Sequence, residues 1–200
     1  HDVPTYSTLV KSTVTKLNIM GMVTADRVVA NLTSTYRDEA DAQPSIKLLG
    51  TRFENLRVAG HPVKVDLSVH VLDKYHQHRR LTDAYSKDKE VRELFGNDHV
   101  RQHYHKAPPE VARFLDQPPP EDGTEMPSGP VSLVHTLTPE GKGIECWGHV
   151  IYIEGFGTIR FGEVSLSPLT RSVAMIHVNL GCPVEGDLTI CAIEDGGSSS

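Results

Sequence analysis

Five of the eleven histidines, His76, His78, His99, His103 and His105, fall within residues 76–105. Imidazole binds Zn2+ and Cu2+ through a ring nitrogen and changes its own charge near neutral pH. His99 and His103 are four apart, which puts both on one face of a helix. His76 and His78 are two apart, which puts both on one side of an extended segment. Glu93 and Asp98 supply carboxylates that can complete a ligand set. The cluster supports a Zn or Cu site, although loose histidine spacing carries far less information than a paired CxxC. A solvated, histidine-rich surface has the same sequence.

The other reactive side chains are scattered. Cys146, Cys182 and Cys191 are the three cysteines. A two-residue turn at Gly186-Asp187 places Cys182 opposite Cys191, where a disulfide can form across a hairpin. Two small buried thiols satisfy the same pattern, and Pro183 lacks the N–H that a ladder position needs. Cys146 is expected to be a core thiol. Glu145, Glu154 and Glu163 are acids of the kind that paired-carboxylate glycoside hydrolysis requires, and they are also ordinary strand-end residues. There is no GxSxG, and Gly155-Phe156-Gly157 is a turn rather than a phosphate loop, because no helix follows it. His1 offers an amine and a ring nitrogen, which resembles the copper histidine brace of lytic polysaccharide monooxygenases, but no further segment matches. We assign no catalytic residue, and no cofactor other than Zn or Cu at the histidines.

The elements that must carry these residues are mostly strands. Residues 63–71 put Val or Leu at every odd position and a polar residue at every even one, the period of a half-buried strand. Weaker alternation runs through residues 1–73 and again through 131–195, with turns every eight to twelve residues. That spacing predicts an antiparallel β-sandwich or a jelly-roll-like fold. Between the halves, about residues 74–129, the period moves toward 3.6. Leu81, Tyr85, Val91, Leu94 and Phe95 predict one amphipathic helix, Asp98 can cap a second, and Pro108-Pro109-Glu110 can start a third. Pro118-Pro119-Pro120 to Pro130 reads as a stiff linker. We expect one domain over 1–200, with a helical insertion at 74–130 lying outside the β core and a flexible tail at 196–200.

Composition narrows the function classes. Apolar residues make up 38% and aromatics 6% of the 200 residues, with a single Trp147. A β core must then be built from Val, Ile and Leu. The net charge of −6 argues against a nucleic-acid partner, since phosphate binding needs a basic surface. No apolar run approaches the length of a transmembrane helix. The chain opens on His1 with no leader-like segment, and its Thr/Ser/Gly-rich β texture fits export with a signal peptide removed.

Residues 23–30 (Val-Thr-Ala-Asp-Arg-Val-Val-Ala) and 53–63 (Phe-Glu-Asn-Leu-Arg-Val-Ala-Gly-His-Pro-Val) resemble uncharacterised bacterial exported β-proteins of the "choice-of-anchor" type. That resemblance implies a secreted or cell-surface setting and brings no catalytic residue with it. Residues 3–10, with Val3, Tyr6, Thr8 and Val10, are extended in character. An arm of this kind can add a strand to the sheet edge of another copy, and head-to-tail addition gives open filaments. The expectation is therefore a non-catalytic extracellular structural protein that self-associates into a homo-oligomer or polymer. The alternatives are a metal-binding protein or metalloenzyme using the histidines, and a carbohydrate-binding module using Tyr6, Tyr104, Tyr152 and Trp147.

Overall fold

A computed structural model describes residues 3–37, 43–95, 106–115, 131–140, 144–168, 170–181 and 186–196. It is mainly β, with two antiparallel sheets and a few short helices, consistent with a sandwich. The first sheet is built from β1 (Thr5–Ile19), β2 (Val23–Arg37), β3 (Ser45–Lys47), β4 (Arg52–Glu54), β5 (Arg57–Val58), β6 (His61–Leu67) and β8 (Val134–Pro139). Its order is β1-β2-β5-β6-β8, with β3 and β4 also paired to β2. The second contains β7 (Val131–Ser132), β9 (Glu145–Trp147), β10 (Val150–Ile153), β11 (Gly157–Leu166), β12 (Thr170–Leu180) and β13 (Gly186–Gly196). Its order is β13-β12-β11-β10-β9, with β7 against β11. Residues 131–139 join the two layers: β7 pairs with β11 in the second sheet and β8 with β6 in the first, the crossover falling at Leu133.

Tight turns set the registers. Ala59 (φ 49°) and Gly60 (φ 78°) link Val58 to its partner His61 with two left-handed residues, as a hairpin of matching twist requires. Met20 (φ 50°) and Gly21 (φ 70°) turn β1 into β2, and the Asn18 side chain accepts the Gly21 N–H at 2.7 Å.

Both sheets bend along a row where the inward face changes parity. In β2, Val23 and Ala25 are buried, then Val28, Ala30 and Leu32. The switch falls at Asp26, level with Lys16 (φ 54°) on β1 and Asn55 (φ 51°) between β4 and β5. In β12, Val173 and Met175 are buried, then Ile176 and Val178. That switch is level with Gly162 (φ 60°) on β11 and Cys191 (φ 55°) on β13. Bends of this kind let long strands turn corners in a sandwich.

Three expectations change. The alternation over 63–71 ends as a strand at Leu67, and α1 (Val69–Lys74) follows. Its ladder partner leaves the sheet at Leu133, so later residues have nothing to pair with and a helix buries Val71 and Leu72 instead. The single helix expected over residues 81–95 is two, α2 (His78–Tyr85) and α3 (Lys89–Phe95). Asp88 breaks it: its Oδ1 accepts the Glu90 N–H at 2.9 Å as a cap, while its Oδ2 takes Lys74 and Tyr75. Finally, the helices do not sit outside the core. Leu81, Tyr85, Val91 and Phe95 are essentially inaccessible and join the same apolar cluster as Val28, Ile159 and Val178. The last described helix, α4 (Pro109–Leu115), starts on proline as expected.

Candidate functional site

Two features stand out, one on each sheet. The first is the free edge. β1 is the terminal strand of its sheet, with β2 as its ladder partner. It is fifteen residues long, contains no proline and carries only Lys11 and Lys16 as charges. Native sheets usually shorten, charge or cover such an edge. From Thr5 to Leu9 every residue is exposed, so this end of β1 has water on both faces. Tyr6 is 59% and Leu9 64% accessible, and Val3 and the Tyr36 opposite Tyr6 are exposed as well. The arm residues Tyr6, Thr8 and Val10 thus pair within their own chain with Tyr36, Ser34 and Leu32. β13 approaches the middle of the strand, where the Cys191 thiol meets the Ser12 carbonyl, and what remains open is the outer side of the Thr5–Leu9 end.

The second feature is an ionic network on the outward face of the second sheet. Residues 160 and 163 would point to opposite faces in a regular strand. Gly162, in the left-handed conformation, puts them on the same face, and Arg160 Nη1 donates to Glu163 Oε1 at 2.7 Å. Glu163 is buried, and its Oε2 lies 3.4 Å from Nδ1 of His177 on β12. The other nitrogen of His177 is 3.2 Å from Asp187 Oδ1 on β13, and Asn179 donates to that same oxygen at 2.8 Å. Arg113 of α4 donates to Asn179 Oδ1, which fastens the helix across the strands. The chain of contacts therefore works as a clamp on β11, β12, β13 and α4.

His149 borders the network. It is buried, and burial together with the Arg160 cation pushes its pKa down to about 4. The ring is neutral at pH 7, so its 4.0 Å approach to Glu163 is not an ion pair there. The Asn179 hydrogen bond, with His177 adding to it, holds the Asp187 carboxyl below its usual range.

Of the residues singled out by sequence, Glu163 enters this network and Glu145 and Glu154 are exposed. Arg160, His177 and Asp187 were not anticipated, since they come from three strands and form no local motif. His76 and His78 are half-buried, and His78 opens α2 rather than lying in an extended segment. His99, His103, His105, Tyr104 and His1 lie outside the described residues. Among the described residues no group of three or more His, Cys, Asp or Glu side chains is placed to hold a metal.

The expected hairpin register is corrected. Leu180 pairs with Gly186, so Gly186 begins β13 instead of forming a two-residue turn with Asp187. Cys191 is consequently level with Met175, deep in the sheet. It is a free thiol, with Sγ 3.3 Å from the Ser12 carbonyl and 3.4 Å from that of Val28. Cys182 lies outside the described residues. Cys146 is also free, and burial pushes its thiol up to about 11, which keeps it protonated and unreactive. Trp147 is half-buried with its indole N–H turned inward and unpartnered, and Tyr152 is half-buried too. No helix among the described residues is long and apolar enough to cross a membrane.

The class these features define is an antiparallel two-sheet protein with an edge strand exposed at its outer end and one internally clamped sheet. The chain belongs to the family described as Domain of unknown function (DUF8256), whose model matches residues 1–167. No curated protein and no solved structure matches it.

Proposed function

We propose that this is a non-catalytic structural protein of the cell exterior, secreted or surface-held, which self-associates through the outer edge of β1. The observation that supports it is the fifteen-residue terminal strand whose outer end exposes Tyr6, Leu9 and Tyr36. Backbone donors and acceptors on such an edge pair readily with another chain, and side chains on both faces of the protruding end add apolar contact. Pairing of β1 with a different edge of the next copy would build a filament. Export is the setting implied by the resemblance of residues 23–30 and 53–63 to exported β-proteins. Light scattering coupled to size exclusion, with negative-stain microscopy, tests the reading. The wild-type protein should grow in mass with concentration, and Leu9→Lys, at a position exposed in the monomer, should shift it toward monomer. A wild-type protein that stays monomeric when concentrated, or a Leu9→Lys variant that assembles just as well, would end it.

A further inference from the structure

Strand direction and charge select the strand that the open end of β1 meets. β1 and β8 are the two terminal strands of the first sheet, and each pair between them is antiparallel. Four such steps separate them, so β1 and β8 run in the same direction. A second copy that continues this sheet with its core on the same side can therefore offer β8 only in parallel. It can offer its own β1 only in antiparallel, through a twofold axis. Antiparallel pairing is the stronger per residue and keeps the sheet of one kind.

The other terminal strands suit the open end poorly. β8 has six residues and ends on Pro139, which has no N–H to donate. β9 has three residues. β13 carries Asp187, Glu194 and Asp195, and it already lies against the middle of β1 in its own chain.

β1 is complementary to itself. Residues 3–10 contain no charged side chain. An antiparallel pair centred on Ser7 sets Thr5 opposite Leu9, Tyr6 opposite Thr8 and Lys11 opposite Val3 of the other copy. No like charges then face each other across the pair. On one face the two Tyr6 rings become diagonal neighbours within reach of each other, each flanked by the Tyr36 of its own chain. On the opposite face the exposed Leu9 of each copy covers the other's Thr5.

We propose that the Thr5–Leu9 segment of β1 pairs with the same segment of a second copy, antiparallel about a twofold axis at Ser7. An isologous contact occupies the edge of both copies at once, so growth stops at two chains. The inference rests on β1 being the self-associating edge, and it names the strand that this edge meets. The paired segment is short, which places the dimer among small, transient interfaces that form at high protein concentration.

Light scattering on the full chain over a concentration series tests the closure, and single-cysteine variants test the pairing. The mass should level off at two chains. Ser7 and Thr5 are both exposed, so Ser7→Cys and Thr5→Cys keep the fold. Under mild oxidation, with wild type as the control for the native thiols, Ser7→Cys should give the disulfide-linked dimer faster than Thr5→Cys by about tenfold or more. The two copies of residue 7 face each other, whereas those of residue 5 lie on the order of 14 Å apart, beyond disulfide reach. A mass that rises past two chains overturns the twofold pairing and leaves self-association through β1 standing. So does a self-associating protein in which Ser7→Cys links no faster than Thr5→Cys. A wild-type protein that stays monomeric when concentrated ends both.

Discussion

The two sheets bend by the same backbone device in opposite surroundings. In the second sheet the row Gly162–Met175–Cys191 is buried. A Cβ on Gly162 would lie 3.0 Å from Leu67 and 3.2 Å from Val134, side chains of the other sheet. In the first sheet Lys16, Asp26 and Asn55 are all exposed, tied by one 2.6 Å hydrogen bond from Asn55 to Asp26. They line an open polar groove of about 540 Å³ with Leu17, Asn18, Thr24, Ala25 and Arg57. The difference shows that a left-handed kink is tolerated for different reasons. Where side chains of the other sheet press on the kink, as Leu67 and Val134 do at Gly162, glycine is needed and the kink can position buried charges. Where water covers it, lysine or asparagine adopts it at a modest conformational cost.

The contrast breaks most sharply at Glu163. Its carboxylate is held on the outward face by the Gly162 kink and meets Arg160 and His177 there. Glu163→Ala removes the buried carboxylate that Arg160 and His177 both meet, and unfolding in urea should show a loss of about 3 kcal/mol, the range for breaking a buried ion pair. The corresponding change in the first sheet, Asp26→Ala, removes a solvent-exposed contact and should cost under about 1 kcal/mol. Equal losses at the two positions would mean that burial of the row does not matter.

Acid should separate the sheets next. His149 is held neutral in the folded protein, with its pKa down at about 4 against an ordinary 6.5. Between those values the unfolded chain takes up a proton that the folded chain does not, so stability present above pH 6.5 is lost as the pH falls toward 4. The full loss is on the order of 3 kcal/mol. Thermal melts from pH 7.5 to 4 should show it, and His149→Phe should flatten that slope. A slope unchanged in the variant would show that other groups carry the acid sensitivity.

At Gly162 itself, alanine must adopt a left-handed φ and press on Leu67 and Val134. Gly162→Ala should lose about 2 kcal/mol. It should also weaken the Arg160–Glu163 contact, so that Glu163→Ala costs less in the Gly162→Ala background than alone. Strict additivity of the two changes would argue that the kink does not position the pair.

The strand framework was legible in the sequence because alternation survives wherever one face is buried, as in residues 176–180 and the 150–161 hairpin. The kinks explain where it failed. Each one slips the buried face by a residue, and only Gly162 marks its own kink by residue type. Lys16 and Cys191 carry no such signal, and the pairing of Leu180 with Gly186 sets Cys191 away from the hairpin end where a disulfide could have formed. Val69 and Val71 satisfied both a strand period and a helix turn, and the departure of β8 decided for the helix. The site was less legible still. Glu163 could be suspected as an acid, but its partners are brought to it by register alone.

The smallest effect completes the comparison from the other side. Lys16 holds φ 54° on an exposed strand, a conformation that a side chain resists and glycine does not. Nothing packs over the position, so glycine removes strain without opening a cavity. Against that gain stands the greater chain entropy of glycine when unfolded. Because the left-handed penalty is the larger of the two, Lys16→Gly should stabilise the protein by about 0.5 to 1 kcal/mol. Chemical denaturation with an unchanged m-value would record it as a shift in midpoint alone. A destabilised variant would mean that the Lys16 side chain contributes a contact worth more than the relief of its backbone, and the exposed row would then be held by its side chains much as the buried row is.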